Sequence, residues 1–339
     1  MRVAVDVMGG DHGSGVVIEG ARLALQANGG ISALFLVGDQ DQIQAELDRA
    51  RYSDPRIKIV HTTEVLTMED KPTDVLRRKK DSSMARAVEL VRTRDADAII
   101  SLGNTGGLVT AATVKLRPLE LVDRPAIATV IPTPEREFLL LDAGANAECK
   151  PMHLVQFAIM GSIYSREILR HERPRVGILS NGTEAMKGTD LTRDACRLCE
   201  QLDLNFLGYI EGHDLFEGEV DVVVTDGFVG NIVLKTCESM GRAIKVMLER
   251  ELTRNPLRLA GAGLAYGGIR SIKRRMNPDT YGGAPLLGLN GNVIKAHGSA
   301  RAQALMNAIR VAVESVRHHI NDMIQEAIAR ANERVAAAA

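Results

Sequence analysis

Along the first two-thirds of the chain, short apolar runs alternate with segments whose apolar residues recur at helical spacing. The runs predict strands at 2–7, 34–37, 57–61, 98–102, 126–131, 138–142, 175–180, 205–210 and 221–225. Most are apolar throughout rather than at every second position, as strands buried on both faces are. Between them, a period near 3.6 predicts helices over 15–28, 41–51, 83–93, 106–115, 153–170 and 190–202, with Ser82 or Ser83 placed to cap the third. This rhythm predicts an α/β fold with a largely parallel sheet.

Beyond Gly227 the pattern changes. Residues 231–253 and 300–335 read as long helices with one apolar face. A long helix near a C-terminus suits packing across a second subunit, which predicts a homodimer; an ordinary capping helix is the alternative. Between the two lies 255–275, apolar, glycine-rich and free of acidic residues. Over 242–275 the only acids are Glu249 and Glu251, against a row of cations that includes Arg258, Arg270, Lys273, Arg274 and Arg275. Apolar residues flanked by cations suit an anionic bilayer surface or an acidic helical partner; a solvated flexible loop is the plainer alternative. The chain, 1–339, reads as one large α/β domain, divisible into a sheet core (1–230), a helical, basic and apolar interaction segment (231–290) and a last strand with a C-terminal helix (291–339).

Several apolar runs end in small, polar, glycine-bearing turns. These are Asp6 with Gly9, Gly10 and Asp11; Asn104, Thr105 and Gly106; Asn146; Ser180, Asn181, Gly182, Thr183 and Lys187; Asp226, Gly227 and Asn231; and Lys295, His297 and Ser299. Ligands of open α/β sheets bind outside the carboxyl ends of the strands, so the pattern predicts polar chemistry gathered on one sheet edge. Asn, Ser and Thr supply neutral donors and Lys187, Lys295 and His297 supply charge, a set suited to an anionic substrate and to charge developing on a carbonyl oxygen. Each residue also has a structural reading. Asp6 and Asp11 could cap a turn, Asn104 could cap a helix, Lys187 could be solvated surface and His297 an ordinary loop residue.

Composition narrows the field. Aromatics are 3% of residues with no Trp, which disfavours single-strand nucleic-acid binding by stacking, and the net charge of −1 gives no bulk attraction to nucleic acid. A serine-hydrolase elbow, a nucleotide P-loop and the Rossmann glycine pattern are all missing from the sequence, and no metal-ligand spacing is present. The pair Cys196 and Cys199 falls in a helical pattern without a second pair, so its thiols read as small buried side chains in a reducing, cytoplasmic setting. No signal-peptide pattern opens the sequence, and no uncharged apolar stretch reaches membrane-spanning length.

Taken in order, the turns together with the Tyr281-Gly282-Gly283-Ala284-Pro285-Leu286-Leu287-Gly288 segment resemble the bacterial phosphate acyltransferase family (PlsX), from Met1 to about Ile320. The resemblance implies a three-layer αβα sandwich similar to the phosphotransacetylase and isocitrate-dehydrogenase-like fold. It implies acyl transfer from acyl-acyl carrier protein to inorganic phosphate, with acyl phosphate feeding phospholipid synthesis through a downstream membrane acyltransferase. It also implies a homodimer, peripheral attachment to the inner face of the plasma membrane, and no cofactor beyond the phosphopantetheine arm on the carrier. Combined with the residues, it puts Lys187 and Asn231 on phosphate or the oxyanion and His297, oriented by Asp6 or Asp11, at the leaving thiolate. The rival readings are a phosphotransacylase using acyl-coenzyme A, a metal-dependent decarboxylating dehydrogenase on the same fold, and a non-catalytic membrane or carrier-protein adaptor.

Overall fold

The computed structural model describes residues 1–184, 186–276 and 280–338, with side chains to 334. Residues 185 and 277–279, inside the candidate 180–188 turn and the candidate interaction segment, lie outside it.

The strands are β1 (Arg2–Asp6), β2 (Ala33–Gly38), β3 (Ile57–His61), β4 (Ala98–Ser101), β5 (Ala126–Pro132), β6 (Glu137–Leu141), β7 (Arg175–Leu179), β8 (Asn205–Ile210), β9 (Val222–Val224), β10 (Ala284–Leu287) and β11 (Asn292–Lys295). They form one sheet in the order β3-β2-β1-β4-β11-β10-β5-β6-β9-β7-β8. Strands β3, β2, β1, β4 and β11 are mutually parallel, and so are β6, β9, β7 and β8. Three antiparallel pairings lie between these groups, β11 with β10, β10 with β5 and β5 with β6. The two parallel halves therefore run in opposite directions.

Continuous apolar strands are explained by cores on both faces. Val3 and Val5 enter one core and Ala4 the other; Leu139 and Leu141 face one and Leu140 the other. The first face is covered by α1 (Ser14–Ala27), α2 (Gln40–Arg49), α6 (Pro151–Glu167), α7 (Asp190–Cys199), α11 (Ala302–Arg317) and α12 (Ile320–Ala338). The second is covered by α3 (Asp74–Arg77), α4 (Ser83–Arg92), α5 (Thr105–Leu116) and the start of α8 (Gly227–Leu252), through Val233, Leu234 and Cys237. The result is a mixed α/β sandwich with a mostly parallel sheet. Ser82 caps α4, accepting from the Ala85 N–H at 3.4 Å, while Ser83 has another partner.

The structure departs from the sequence reading in two places, the 300–335 helix and strand β10. Residues 300–335 are not one helix, because the chain turns at His319 (φ 52°) and divides it into α11 and α12. Leu305, Ile309, Ile320, Ile324 and Ile328 are buried, and α11 and α12 pack against α1 and α6 of the same chain. The apolar face of this segment is thus filled internally, as the capping alternative requires. The segment 255–275 is helical, in keeping with the helical reading of 231–290 and not with the loop alternative. Following α8 it forms α9 (Pro256–Leu264), capped by the Asn255 side chain, and α10 (Tyr266–Arg275). The strand β10 has no counterpart in the sequence reading. Cys196 and Cys199 are buried on α7, and burial pushes the Cys199 thiol up to about 12.

Candidate functional site

The six turns do not share one sheet edge. Because β6, β9 and β7 run opposite to β1, β4 and β11, the carboxyl ends of the two sets lie at opposite edges. Two clusters result where the sequence pattern predicted one.

At the ends of β6, β9 and β7, the buried carboxylate of Asp142 organises the backbone. It accepts N–H bonds from Ile127 (2.9 Å), Gly144 (3.1 Å), Ala145 (3.1 Å) and Asn146 (2.7 Å), and one from Asn146 Nδ2 (2.9 Å). Asn146 Nδ2 also donates to the Pro125 carbonyl at 2.7 Å, so this side chain is committed to the scaffold. Asp226 caps α8 by accepting from the Val229 N–H at 2.9 Å, and the Gly227 N–H donates to the Asn146 carbonyl at 2.7 Å. Gly230 lets α8 pass close above the turn, since a methyl carbon built there would lie 1.9 Å from the Asp142 carbonyl oxygen.

Asn231 follows directly. Its side chain is exposed beside Gly144. In the neighbouring turn, Asn181 Oδ1 accepts from the Gly188 N–H at 3.0 Å, and the Lys187 stem lies over Gly182. Among the described residues Lys187 has no carboxylate partner, Thr183 is exposed, and the buried hydroxyl of Ser180 has no hydrogen-bond partner. This edge therefore presents an unpaired cation and an exposed amide on a backbone fixed from beneath. Cys149 lies nearby, its thiol pushed up to about 12 by burial and by the charges of Asp142 and Asp226, so it is protonated near neutrality.

At the other edge, Asp6 is buried at the end of β1 and accepts from Ser83 Oγ (2.6 Å), Ser101 Oγ (2.7 Å) and the Met8 N–H (3.3 Å). Burial pushes its carboxyl up against these donors. Gly9 packs on the Gly103 backbone, where a methyl carbon would lie 2.6 Å from the nitrogen. Gly10 sits against Leu102, and the Asp11 N–H donates to the Gly298 carbonyl at 2.9 Å.

Asn104 is fully occupied. It caps α5 through the Gly107 N–H (2.9 Å) and donates to the carbonyls of Thr67, Met68 and Asp70 at 3.1–3.3 Å, tethering the 67–70 loop over Gly106 and Pro72. Of the three candidates in this turn, Asn104, Thr105 and Gly106, only Thr105 is exposed.

His297 is not oriented by Asp6 or Asp11. Its Nδ1 accepts from the Ser299 N–H (3.2 Å) and lies 2.7 Å from Ser299 Oγ, which leaves Nε2 as the protonated nitrogen of the neutral ring. The reason is register. Asp6, Ser101 and Lys295 are paired across β1, β4 and β11, on the face covered by α4, whereas His297 lies past the strand end and is exposed. Ser83 and Ser101 were not among the sequence candidates; their only signal was a serine at a strand end or helix start. The helix α8 links the clusters, since its Lys235 lies close enough to Lys295 for the two like charges to act on each other.

The charged side chains of the basic segment are exposed. Arg275 folds back to donate to the carbonyls of Pro134 (2.7 Å) and Glu135 (3.2 Å). Arg258 pairs with Glu251, and Arg270, Lys273 and Arg274 face solvent beside exposed Leu257, Leu264, Tyr266 and Ile272. Among the described residues no helix is long and apolar enough to cross a membrane, and no group of three or more His, Cys, Asp or Glu is placed to hold a metal ion.

A family model described as "Fatty acid synthesis protein" matches residues 1–323. A phosphate acyltransferase of Akkermansia muciniphila is 44% identical over 336 residues, covering 97% of this chain and 96% of that protein. The chain belongs to the phosphate acyltransferase family. A second member, from Geobacter sulfurreducens, is 43% identical over 326 residues, covering 96% of this chain and 94% of its own length. The family makes the chain an enzyme that transfers acyl groups. Among solved structures, a phosphotransacetylase from Streptococcus pyogenes superposes with a TM-score of 0.62 at 18% identity, covering 94% of each chain. A EutD phosphotransacetylase from Staphylococcus aureus gives 0.60 at 16%, covering 93% of this chain and 94% of that one. These two likenesses bear on the fold, which is the α/β sandwich the family resemblance implied.

Proposed function

We propose that the chain transfers a fatty acyl group from acyl-acyl carrier protein to inorganic phosphate, giving acyl phosphate for phospholipid synthesis and free carrier protein. The observation that carries this reading is the edge at β6, β9 and β7. Lys187 stands half-buried without a carboxylate partner among the described residues and Asn231 stands exposed, while a nearby thiol, Cys149, is held protonated. Such a site can bind an anion and stabilise an oxyanion without offering a nucleophile of its own.

The nucleophile is then the phosphate, resting against 180–183 with Thr105 as a second candidate contact. One phosphate oxygen attacks the thioester carbonyl carbon, the new C–O bond forms, and the oxyanion is stabilised by Lys187 and Asn231. The C–S bond breaks with its electron pair on sulfur, and the thiolate takes a proton from water, since His297 stands at the opposite sheet edge from Lys187 and Asn231. No covalent acyl-enzyme forms. The test is thiol release from long-chain acyl-acyl carrier protein with and without phosphate, beside the same chain on coenzyme A. Phosphate-dependent release that is faster from the carrier is the expected result. Release from coenzyme A alone would replace this reading with a phosphotransacylase, and no phosphate dependence would remove it.

The exposed apolar and basic hairpin α9–α10 is our candidate for peripheral attachment to an anionic membrane, or for docking the acidic carrier protein. The exposed apolar residues of α8, including Ile232, Met240 and Ile244, are the candidate surface for a homodimer. Sedimentation with vesicles containing anionic lipid checks the membrane arm. The wild type should pellet and the Lys273→Glu/Arg274→Glu variant should stay in solution. A variant that still pellets but has a raised KM for the carrier would assign the hairpin to docking.

A further inference from the structure

We propose that Lys295 is a positioning residue of the acyl transfer, its ammonium clamping the turn after β4 to the turn after β11 in front of the Asp6 carboxylate. The inference rests on the phosphate acyl-transfer reading above.

The register brings Asp6, Ser101 and Lys295 side by side as the last residues of three adjacent parallel strands. Lys295 Nζ donates to the Leu102 carbonyl at 3.3 Å and to the Ala296 carbonyl. Leu102 leads into the glycine turn that opens α5, and Ala296 leads into His297 and Ser299. One ammonium therefore holds both turns.

The way this charge is kept differs from that of a structural ion pair. In the same molecule Arg175 grips the buried Asp221 directly, from Nε at 3.0 Å and from Nη2 at 3.1 Å. Asp6 instead is bonded to Ser83, Ser101 and the Met8 N–H. Among the described residues Lys295 has no direct carboxylate partner. Its charge is opposed at a distance by Asp6 on β1 and by Asp11 beyond it, and repelled by Lys235 from α8; Ser101 on β4 and Ser83 on α4 are neutral. A cation left without a direct counter-charge in a partly buried place loses its proton more easily. Burial lowers Lys295 to about 8, with Asp6 and Asp11 opposing the shift. Below that value the ammonium holds the two turns together; above it the neutral amine binds the carbonyls weakly and the turns are freed.

The experiment is the pH profile of kcat/KM for phosphate, expressed per phosphate dianion, in wild type and three variants, each checked by thermal melting. In the wild type the value should fall about tenfold per pH unit above pH 8. Lys295→Arg keeps the charge at every pH in range, so its profile should stay flat to pH 9.5. Lys295→Met should lose at least tenfold at pH 7 and show no limb. Asp6→Asn removes the nearest opposing charge, so its limb should move to lower pH by about one unit. A purely structural role would lower rates without moving the limb. An alkaline limb at the wild-type position in both Lys295→Arg and Asp6→Asn would overturn the proposal. Should the Lys295 variants fail to fold, the position of the limb in Asp6→Asn decides alone. Failure of the underlying reading looks different, since the wild type would then show no phosphate-dependent release at any pH.

Discussion

Alanine at Asn231 or at Lys187 should lower phosphate-dependent turnover about 10²–10³-fold, with little change in melting temperature. Each would supply a donor to a charge that develops only as phosphate attacks, and losing one such donor costs about 2.7–4 kcal/mol of transition-state stabilisation. Stability should hold because both side chains sit outside the hydrogen-bond framework. The turns beneath them are fixed by Asp142, Asp226 and Asn181 instead. The double variant should lose less than the product of the two single effects, because both donors act on one transition state. Steady-state kinetics over phosphate concentration checks this. Turnover within threefold of wild type in both single variants would take these residues out of the mechanism.

Gly230→Ala is expected to be the most damaging single methyl group in the molecule. The added carbon would meet the Asp142 carbonyl oxygen at 1.9 Å. The obstacle is backbone, so no side chain can rotate aside. Overpacking commonly costs about 1–3 kcal/mol, and this site should reach the top of that range. Activity should fall as well, because the same shift moves Asn231, the next residue on α8. Gly261→Ala on α9 is the matched control. Nothing lies within 4 Å of the added carbon there, and alanine in a helix interior gains about 0.5–1 kcal/mol over glycine. Thermal melts of the two variants should therefore move in opposite directions.

The parts of the fold set by local chemistry were legible in the sequence. Apolar runs such as 98–102 and 138–142 are strands, since a strand covered by helices on both faces needs no polar side, and Ser82 caps α4 as its position suggested. Strand direction was not legible. Nothing local in 284–287 announces that this segment pairs antiparallel between β11 and β5, yet that insertion separates the six turns into two clusters. The candidate site shows the same division. Asn231 is exposed and Lys187 half-buried in turns that follow strand ends, as a polar turn after an apolar run leads one to expect. Asn104 and Asn146 stand in equally polar turns but are consumed by scaffold bonds to 67–70 and to Pro125. Those partners lie tens of residues away, and only the folded chain shows that they absorb the donors. The pairing of Asp6 with Ser83 and Ser101 is hidden for the same reason, 77 and 95 residues apart in sequence.

The position of β10 and β11 also bears on how the molecule is made. In the finished sheet β4 and β5 are never neighbours, because the late pair 284–287 and 292–295 is threaded between them. A ribosome that has delivered only the first 280 residues has therefore released two half-sheets, each ending in an open edge that the other cannot close. Open edges of that kind invite pairing with other chains. Helix α11, which packs on α1, follows only a few residues later. The union of the two halves thus waits for β10 and β11, and a nascent chain is most exposed to misassembly just before these closing strands emerge.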